Sequence, residues 1–152
     1  MDDKEVTWFP AYGPEQRGGT ANVTVILSDE AISSPVLDSY DIVIALNQQS
    51  LDKFAPKVKP GGILIYDTNG IHKAPSGENY KVFPIDAMTA TLELGNPKAY
   101  NMVVMGALLE VMSYKLPMEN VEKGLKKSLP ERHHKLIPLN LQAIEKGNEL
   151  MK

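Results

Sequence analysis

Short apolar runs alternate with turn formers through the first half of the chain, and the hydrophobic period then changes from two to three and four. Glu5-Val6-Thr7-Trp8-Phe9 is rich in β-branched and aromatic residues and meets Pro10, which predicts a strand running into a loop from Ala11 to Gly19. Thr20 to Ser28 alternates, with Ala21, Val23, Val25 and Leu27 on one side and Asn22, Thr24 and Ile26 on the other. That pattern predicts a second strand, closed by the turn formers Ser28-Asp29-Glu30. Tyr40 to Leu46 is nearly all apolar, as expected of a strand covered on both faces. Ser50 can cap a short helix, Leu51 to Ala55, that stops before Pro56. The turn Lys59-Pro60-Gly61-Gly62 then leads into a buried strand, Ile63 to Tyr66, closed by Asp67, and Tyr80 to Ile85 reads as the last strand.

From Asp86 onward Met88, Leu92, Met102, Met105, Leu108, Leu109 and Met112 recur at helical spacing, which predicts helices with a Met-rich stripe facing the core. Two more helices, Met118 to Ser128 and Leu136 to Leu150, are set apart by Pro117 and Pro130. Strands alternating with helices, followed by a helical C-terminal half, predict an α/β fold: a Rossmann-like, mostly parallel sheet flanked by helices, in a single domain over residues 1–152.

Composition narrows the function more than the fold. The net charge of −3 gives no broad basic surface to neutralise a phosphate backbone, so nucleic acid is not an expected partner. The longest apolar runs, Ile42 to Leu46 and Met102 to Leu109, are far shorter than the roughly 20 residues of a membrane-spanning helix. The start, Met1-Asp2-Asp3-Lys4, lacks the basic and apolar stretches of a secretory signal, so the expected location is cytoplasmic. Cysteine is absent, which removes thiolate nucleophiles and the ordinary iron–sulfur ligands; any redox cluster is expected on another chain. Three histidines remain, and the adjacent His133 and His134 point in different directions on a helix or a strand, so no metal set converges.

Candidate chemistry gathers in the segment Tyr12 to Thr20. Gly18 and Gly19 allow positive φ and close backbone approach to a ligand or another chain, and Arg17 carries a donor fork suited to phosphate or carboxylate. The competing reading is a turn or bulge with Arg17 paired to Glu15. Asn47 falls at the carboxyl end of a buried strand, where open parallel sheets place their binding crevices, although Asn47 or Ser50 can equally cap the following helix. Asp67 holds a similar strand end, suited to a ribose hydroxyl or, more simply, to a turn.

Neither glycine-rich phosphate motif is present, and Gly61-Gly62 precedes a strand rather than a helix. No G-x-S-x-G or H-E-x-x-H occurs, so no catalytic residue is assigned. Lys59 to Ile65 looks like a late strand of S-adenosylmethionine-dependent methyltransferases, which keeps that class as an alternative without its glycine-rich cofactor turn.

The block from Trp8 through Pro10, Tyr12, Gly13, Glu15, Arg17, Gly18 and Gly19 to Val23 closely resembles the gamma subunit of 2-oxoacid:ferredoxin oxidoreductases. Ser28-Asp29-Glu30, Asp41 to Asn47, Lys59 to Gly62 and the stretch Asn101 to Leu109 follow in the same order, so the likeness covers about Val6 to Glu149. The resemblance implies an accessory, Rossmann-like gamma-type domain in an enzyme that oxidatively decarboxylates a 2-oxoacid to an acyl-CoA, nearest to the 2-oxoglutarate branch with the 2-oxoisovalerate, pyruvate and indolepyruvate branches close behind. It implies alpha and beta partner subunits, with delta as an optional third, that carry thiamine diphosphate, Mg and iron–sulfur clusters, with coenzyme A as co-substrate and ferredoxin as acceptor. No cofactor is expected on this chain alone, and the isolated chain is expected to be inactive. On this reading Tyr12, Glu15, Arg17, Gly18, Gly19 and Asn47 are ligand- or interface-facing. The family normally opens with a strand, a G-x-G-G-x-G-type turn and a helix, and the resemblance here begins after that unit. The contrasting reading is a free-standing module for a nucleotide or coenzyme A.

Overall fold

The structure is a computed structural model that describes residues 4–12, 21–34 and 36–152, with Tyr12 described by its backbone alone. The chain forms two compact units, Met1–Tyr40 and Asp41–Lys152. In the first, β1 (Glu5–Tyr12) pairs antiparallel with β2 (Ala21–Ser28), from Glu5 opposite Ser28 to Tyr12 opposite Ala21. Pro10 does not end the strand as the sequence pattern suggested. Both strands of a two-stranded ribbon are edges, and an edge tolerates a residue without an N–H. The pairing also departs from a wholly parallel arrangement, since these two strands are linked within the chain as a ribbon of their own.

Alternation places Val6, Trp8 and Pro10 on the same face as Leu27, Val25 and Val23, their direct cross-strand partners. That apolar face is the open one: Trp8 is 65% exposed and Val6 59%. The other face, with Thr7, Ala11, Asn22, Thr24 and Ile26, is half-buried, and Phe9 on it is 42% exposed.

The second unit carries a three-stranded sheet in the order β3 (Tyr40–Ala45), β4 (Val58–Asp67), β5 (Lys81–Ile85). β4 and β5 are parallel, from Ile63 opposite Lys81 to Asp67 opposite Ile85. β4 begins earlier than the Lys59 to Gly62 turn predicts. Gly61, at φ +79°, absorbs the bend, and a Cβ on Gly62 would lie 2.8 Å from the carbonyl oxygens of both Asp41 and Lys59.

Helices follow the strands: α1 (Gln48–Phe54), α2 (Ala87–Glu93), α3 (Tyr100–Val111), α4 (Met118–Ser128) and α5 (Ile137–Glu149). The helical periods were legible, but the buried residues differ from the expected Met stripe. α3 buries Val103, Val104, Gly106 and Ala107, while Met102 and Met105 are only half-buried and Met88 is exposed. The reason is the closeness of α3 and α5. A Cβ on Gly106 would sit 2.0 Å from the carbonyl oxygen of Ile144, and one on Gly147 would sit 1.9 Å from that of Val103. Small residues let the two backbones meet, and long side chains are displaced to the margins. Ile65, Ile85 and Ala90 complete the core between sheet and helices. Among the described residues no helix is long and apolar enough to cross a membrane.

Candidate functional site

The three parallel strands each hand the chain to a helix or turn through a polar residue at the carboxyl edge of the sheet. After β3, Asn47 is extended (φ −149°, ψ 166°), and its side-chain oxygen accepts the Ser50 N–H at 2.8 Å, which caps α1. Asn47, not Ser50, is therefore the cap, and the helix starts at Gln48 rather than Leu51. At the end of β4, Asp67 is 2% exposed and accepts the Asn69 N–H at 3.0 Å, which opens a 3₁₀ turn. After β5, Asp86 accepts the Thr89 N–H at 3.1 Å and caps α2.

These caps are joined. The Asn69 side-chain amide donates to Asp67 at 3.2 Å and makes a short hydrogen bond to Asp86. The Tyr100 hydroxyl, from the first turn of α3, donates a short hydrogen bond to the other oxygen of Asp67. Burial, reinforced by the hydrogen bond to and the charge of Asp67, pushes the Tyr100 hydroxyl far above its ordinary pKa, so it remains a donor across the working pH range. The hydroxyl and backbone N–H of Thr89, with a contribution from Asn69, hold the Asp86 carboxyl below its ordinary value. On the same edge the Gln48 side-chain oxygen accepts the N–H groups of His72 at 2.7 Å and Lys73 at 2.8 Å, while its amide donates to Asp52 at 2.9 Å. A Cβ on Gly70 would lie 2.2 Å from the Leu46 carbonyl oxygen, so the loop after β4 rests directly on the loop after β3.

The carboxyl edge is thus a self-bonded polar rim whose acceptors are spent on holding loops in place. Asp67 serves a turn, one of the two roles its position allowed, and Asn47 serves as a cap. Of the other predicted site residues, Tyr12 ends β1, and Glu15, Arg17, Gly18 and Gly19 lie outside the described residues. Gln48 lies on the polar rim that the sequence pattern extends from Asn47, whereas sequence reasoning missed Asn69, Asp86 and Tyr100. Asp86 had a readable signal, an acid directly before a helical period; the pairing of Asp67 with a tyrosine 33 positions later had none. The adjacent histidines turn apart as expected: His133 accepts from Arg132, and the His134 ring lies 2.9 Å from the Leu129 carbonyl oxygen. Among the described residues no group of three His, Asp or Glu side chains could hold a metal ion.

A parallel α/β sheet with cap residues along its carboxyl edge and a helical C-terminal half is a Rossmann-like domain, the class the alternating pattern predicted. More narrowly, the chain belongs to the pyruvate ferredoxin/flavodoxin oxidoreductase family, which it matches over residues 1–150. It is 35% identical over 148 residues to the ketoisovalerate oxidoreductase subunit VorA of Methanothermobacter thermautotrophicus, covering 97% of this chain and 30% of that protein. It is 34% identical over 155 residues to the 2-oxoglutarate synthase subunit KorC of Methanocaldococcus jannaschii, covering 99% of this chain and 80% of that protein. Among solved structures, the keto/oxoacid ferredoxin oxidoreductase gamma subunit of Geobacter sulfurreducens superposes with a TM-score of 0.77 at 30% identity, over 99% of this chain and 82% of that one. A 2-oxoglutarate:ferredoxin oxidoreductase from Magnetococcus marinus, solved with 2-oxoglutarate, coenzyme A and succinyl-CoA bound, superposes with a TM-score of 0.80 at 25% identity, over 97% of this chain and 26% of that one. The chain therefore spans between a quarter and a third of the longer relatives and about four-fifths of the gamma-type ones. The gamma-subunit resemblance seen in the sequence is borne out.

Proposed function

We propose that this chain is the gamma-type part of a 2-oxoacid:ferredoxin oxidoreductase, an accessory domain in the oxidative decarboxylation of a 2-oxoacid to its acyl-CoA with reduction of ferredoxin. The observation that carries this reading is the match to KorC, which runs along nearly all of this chain and most of that subunit. The substrate proposed is 2-oxoglutarate, the one that the name of the KorC relative carries. Thiamine diphosphate, Mg and iron–sulfur clusters belong in this reading to alpha and beta partners, with delta as an optional third, and the assembly works in the cytoplasm with coenzyme A as co-substrate. In this reading residues 1–152 are one gamma-type domain.

In this reading Tyr12, Glu15, Arg17, Gly18, Gly19 and Asn47 are ligand- or interface-facing. Arg17 holds an anionic group, a coenzyme A phosphate or a partner carboxylate, by charge-assisted hydrogen bonds. In the complete complex Arg17→Ala is expected to lower turnover or subunit recovery by about tenfold or more, the equivalent of one lost charged hydrogen bond. Wild-type turnover together with unchanged subunit stoichiometry would falsify that role. Affinity purification from the native cell tests the wider reading: thiamine-diphosphate and cluster-bearing chains should co-purify, whereas a lone protein with bound ligand would indicate a free-standing module.

A further inference from the structure

Asn69 and Gly70 form the single Asn-Gly pair of the chain, the context in which an asparagine is chemically least durable, because glycine leaves the following N–H unshielded by a side chain. The structure shows why the pair stands there. A Cβ at position 70 would lie 2.2 Å from the Leu46 carbonyl oxygen, so the loop after β4 has room only for glycine at that point. Position 69 answers a different demand. Its side-chain amide donates to Asp67 at 3.2 Å and to Asp86 through a short hydrogen bond, and its backbone N–H donates to Asp67 at 3.0 Å. An amide supplies N–H groups to both carboxylates, whereas an aspartate there would supply none. Every group involved lies within the unit Asp41–Lys152.

The same bonds oppose the reaction to which the pair is prone. In deamidation the Gly70 nitrogen attacks Cγ of Asn69 and a new C–N bond forms. Nδ2 leaves as ammonia, taking the Gly70 proton, and a succinimide ring results. Water then adds to either ring carbonyl, and cleavage of that C–N bond leaves aspartate or isoaspartate; the net change is one water taken up and one ammonia lost. Ring closure needs the Gly70 nitrogen swung back over Cγ. Asn69 instead lies in the 3₁₀ turn Thr68–Gly70, where a ψ of about −20 to −30° directs that nitrogen elsewhere. The two carboxylates hold the amide in place, and their charge disfavours the Gly70 anion that begins the attack.

We propose that Asn69 is a guarded modification site: its bonds to Asp67 and Asp86 hold the Asn69–Gly70 pair back from deamidation, and release of Asp86 admits the reaction. The product sets a third carboxylate between two that an amide had joined, so the change loosens the carboxyl edge of the sheet by like-charge repulsion. The proposal is independent of the oxidoreductase reading.

The test incubates the purified chain in mildly alkaline buffer, folded and in guanidinium chloride, and follows conversion by peptide mapping, with the other asparagines of the same digest as references. Asn69 is expected to convert at least about tenfold more slowly in the folded chain, and Asp86→Ala to speed conversion in the folded chain by about tenfold, the factor for losing a hydrogen bond to a charged group. Asn96→Ala, which removes the side-chain cap of the turn before α3, should leave the rate at the wild-type value. Asp86→Asn keeps an acceptor and loses the charge; it should move the rate in the same direction and decides the matter where Asp86→Ala does not fold. Equal rates in the folded and denatured chain overturn the proposal. So does a wild-type rate in the folded Asp86 variants, or an acceleration by Asn96→Ala that matches theirs, since protection would then reflect global stability alone.

Discussion

A single hydroxyl bonded to a buried carboxylate gives the sharpest residue-level expectation. Asp67 is 2% exposed and Tyr100 is one of its donors, so Tyr100→Phe should cost about 1–3 kcal/mol in urea unfolding, the range for leaving a buried charged group short of a partner. The pH dependence follows from the direction of the Tyr100 shift. Its pKa is raised above the ordinary 10.0, so the unfolded chain releases the proton first. The stabilisation is complete below about pH 10 and declines as the pH rises further, and the phenylalanine variant should lose that part of the alkaline decline. Asn47→Ala, which removes the α1 cap, should cost about 1 kcal/mol by the same measurement. An equal loss in the Ser50→Ala variant would contradict the cap assignment, because only the Ser50 backbone N–H takes part.

At the scale of elements, glycines divide by their surroundings. Gly106→Ala or Gly147→Ala would drive a methyl group to about 2 Å from a backbone carbonyl oxygen across the α3–α5 crossing, and each should destabilise by 1–3 kcal/mol or more. Gly124, in α4, has nothing within 4 Å of its would-be Cβ, and Gly124→Ala should stabilise by about 0.5–1 kcal/mol. Thermal melts of the three variants would show opposite shifts; the same sign in all of them would refute the crossing.

These glycines also mark what the sequence could and could not convey. Helical spacing from Asp86 onward revealed α2 to α5, and continuous apolar runs revealed β3 and β4. Which helix face turns inward was hidden, because Met102 and Met105 carry the stronger hydrophobic signal while contact across α3 and α5 selects Gly106 and Ala107. The reach of β1 past Pro10 was hidden for a related reason, since a proline is read as a stop unless the strand is known to be an edge.

For the molecule as a whole, motif order along nearly the full length was the most legible property, and it led to the family that the comparison over residues 1–150 established. Single positions were less legible. Asn47 could be a cap or a rim residue from sequence alone, and its bond to the Ser50 N–H settles the first role. The network of Asp67, Asn69, Asp86 and Tyr100 brings residues from β4, two loops and α3 together, and such convergence has no trace in local spacing.

The crossing of α3 and α5 has a further consequence for how the protein opens. Where two backbones approach closely enough to displace side chains, solvent has no path to the peptide groups short of separating both helices at once. Amide protons from Val103 to Ala107 and from Ala143 to Gly147 should therefore be the last to exchange with deuterium, at rates set by cooperative opening rather than by fraying at helix ends.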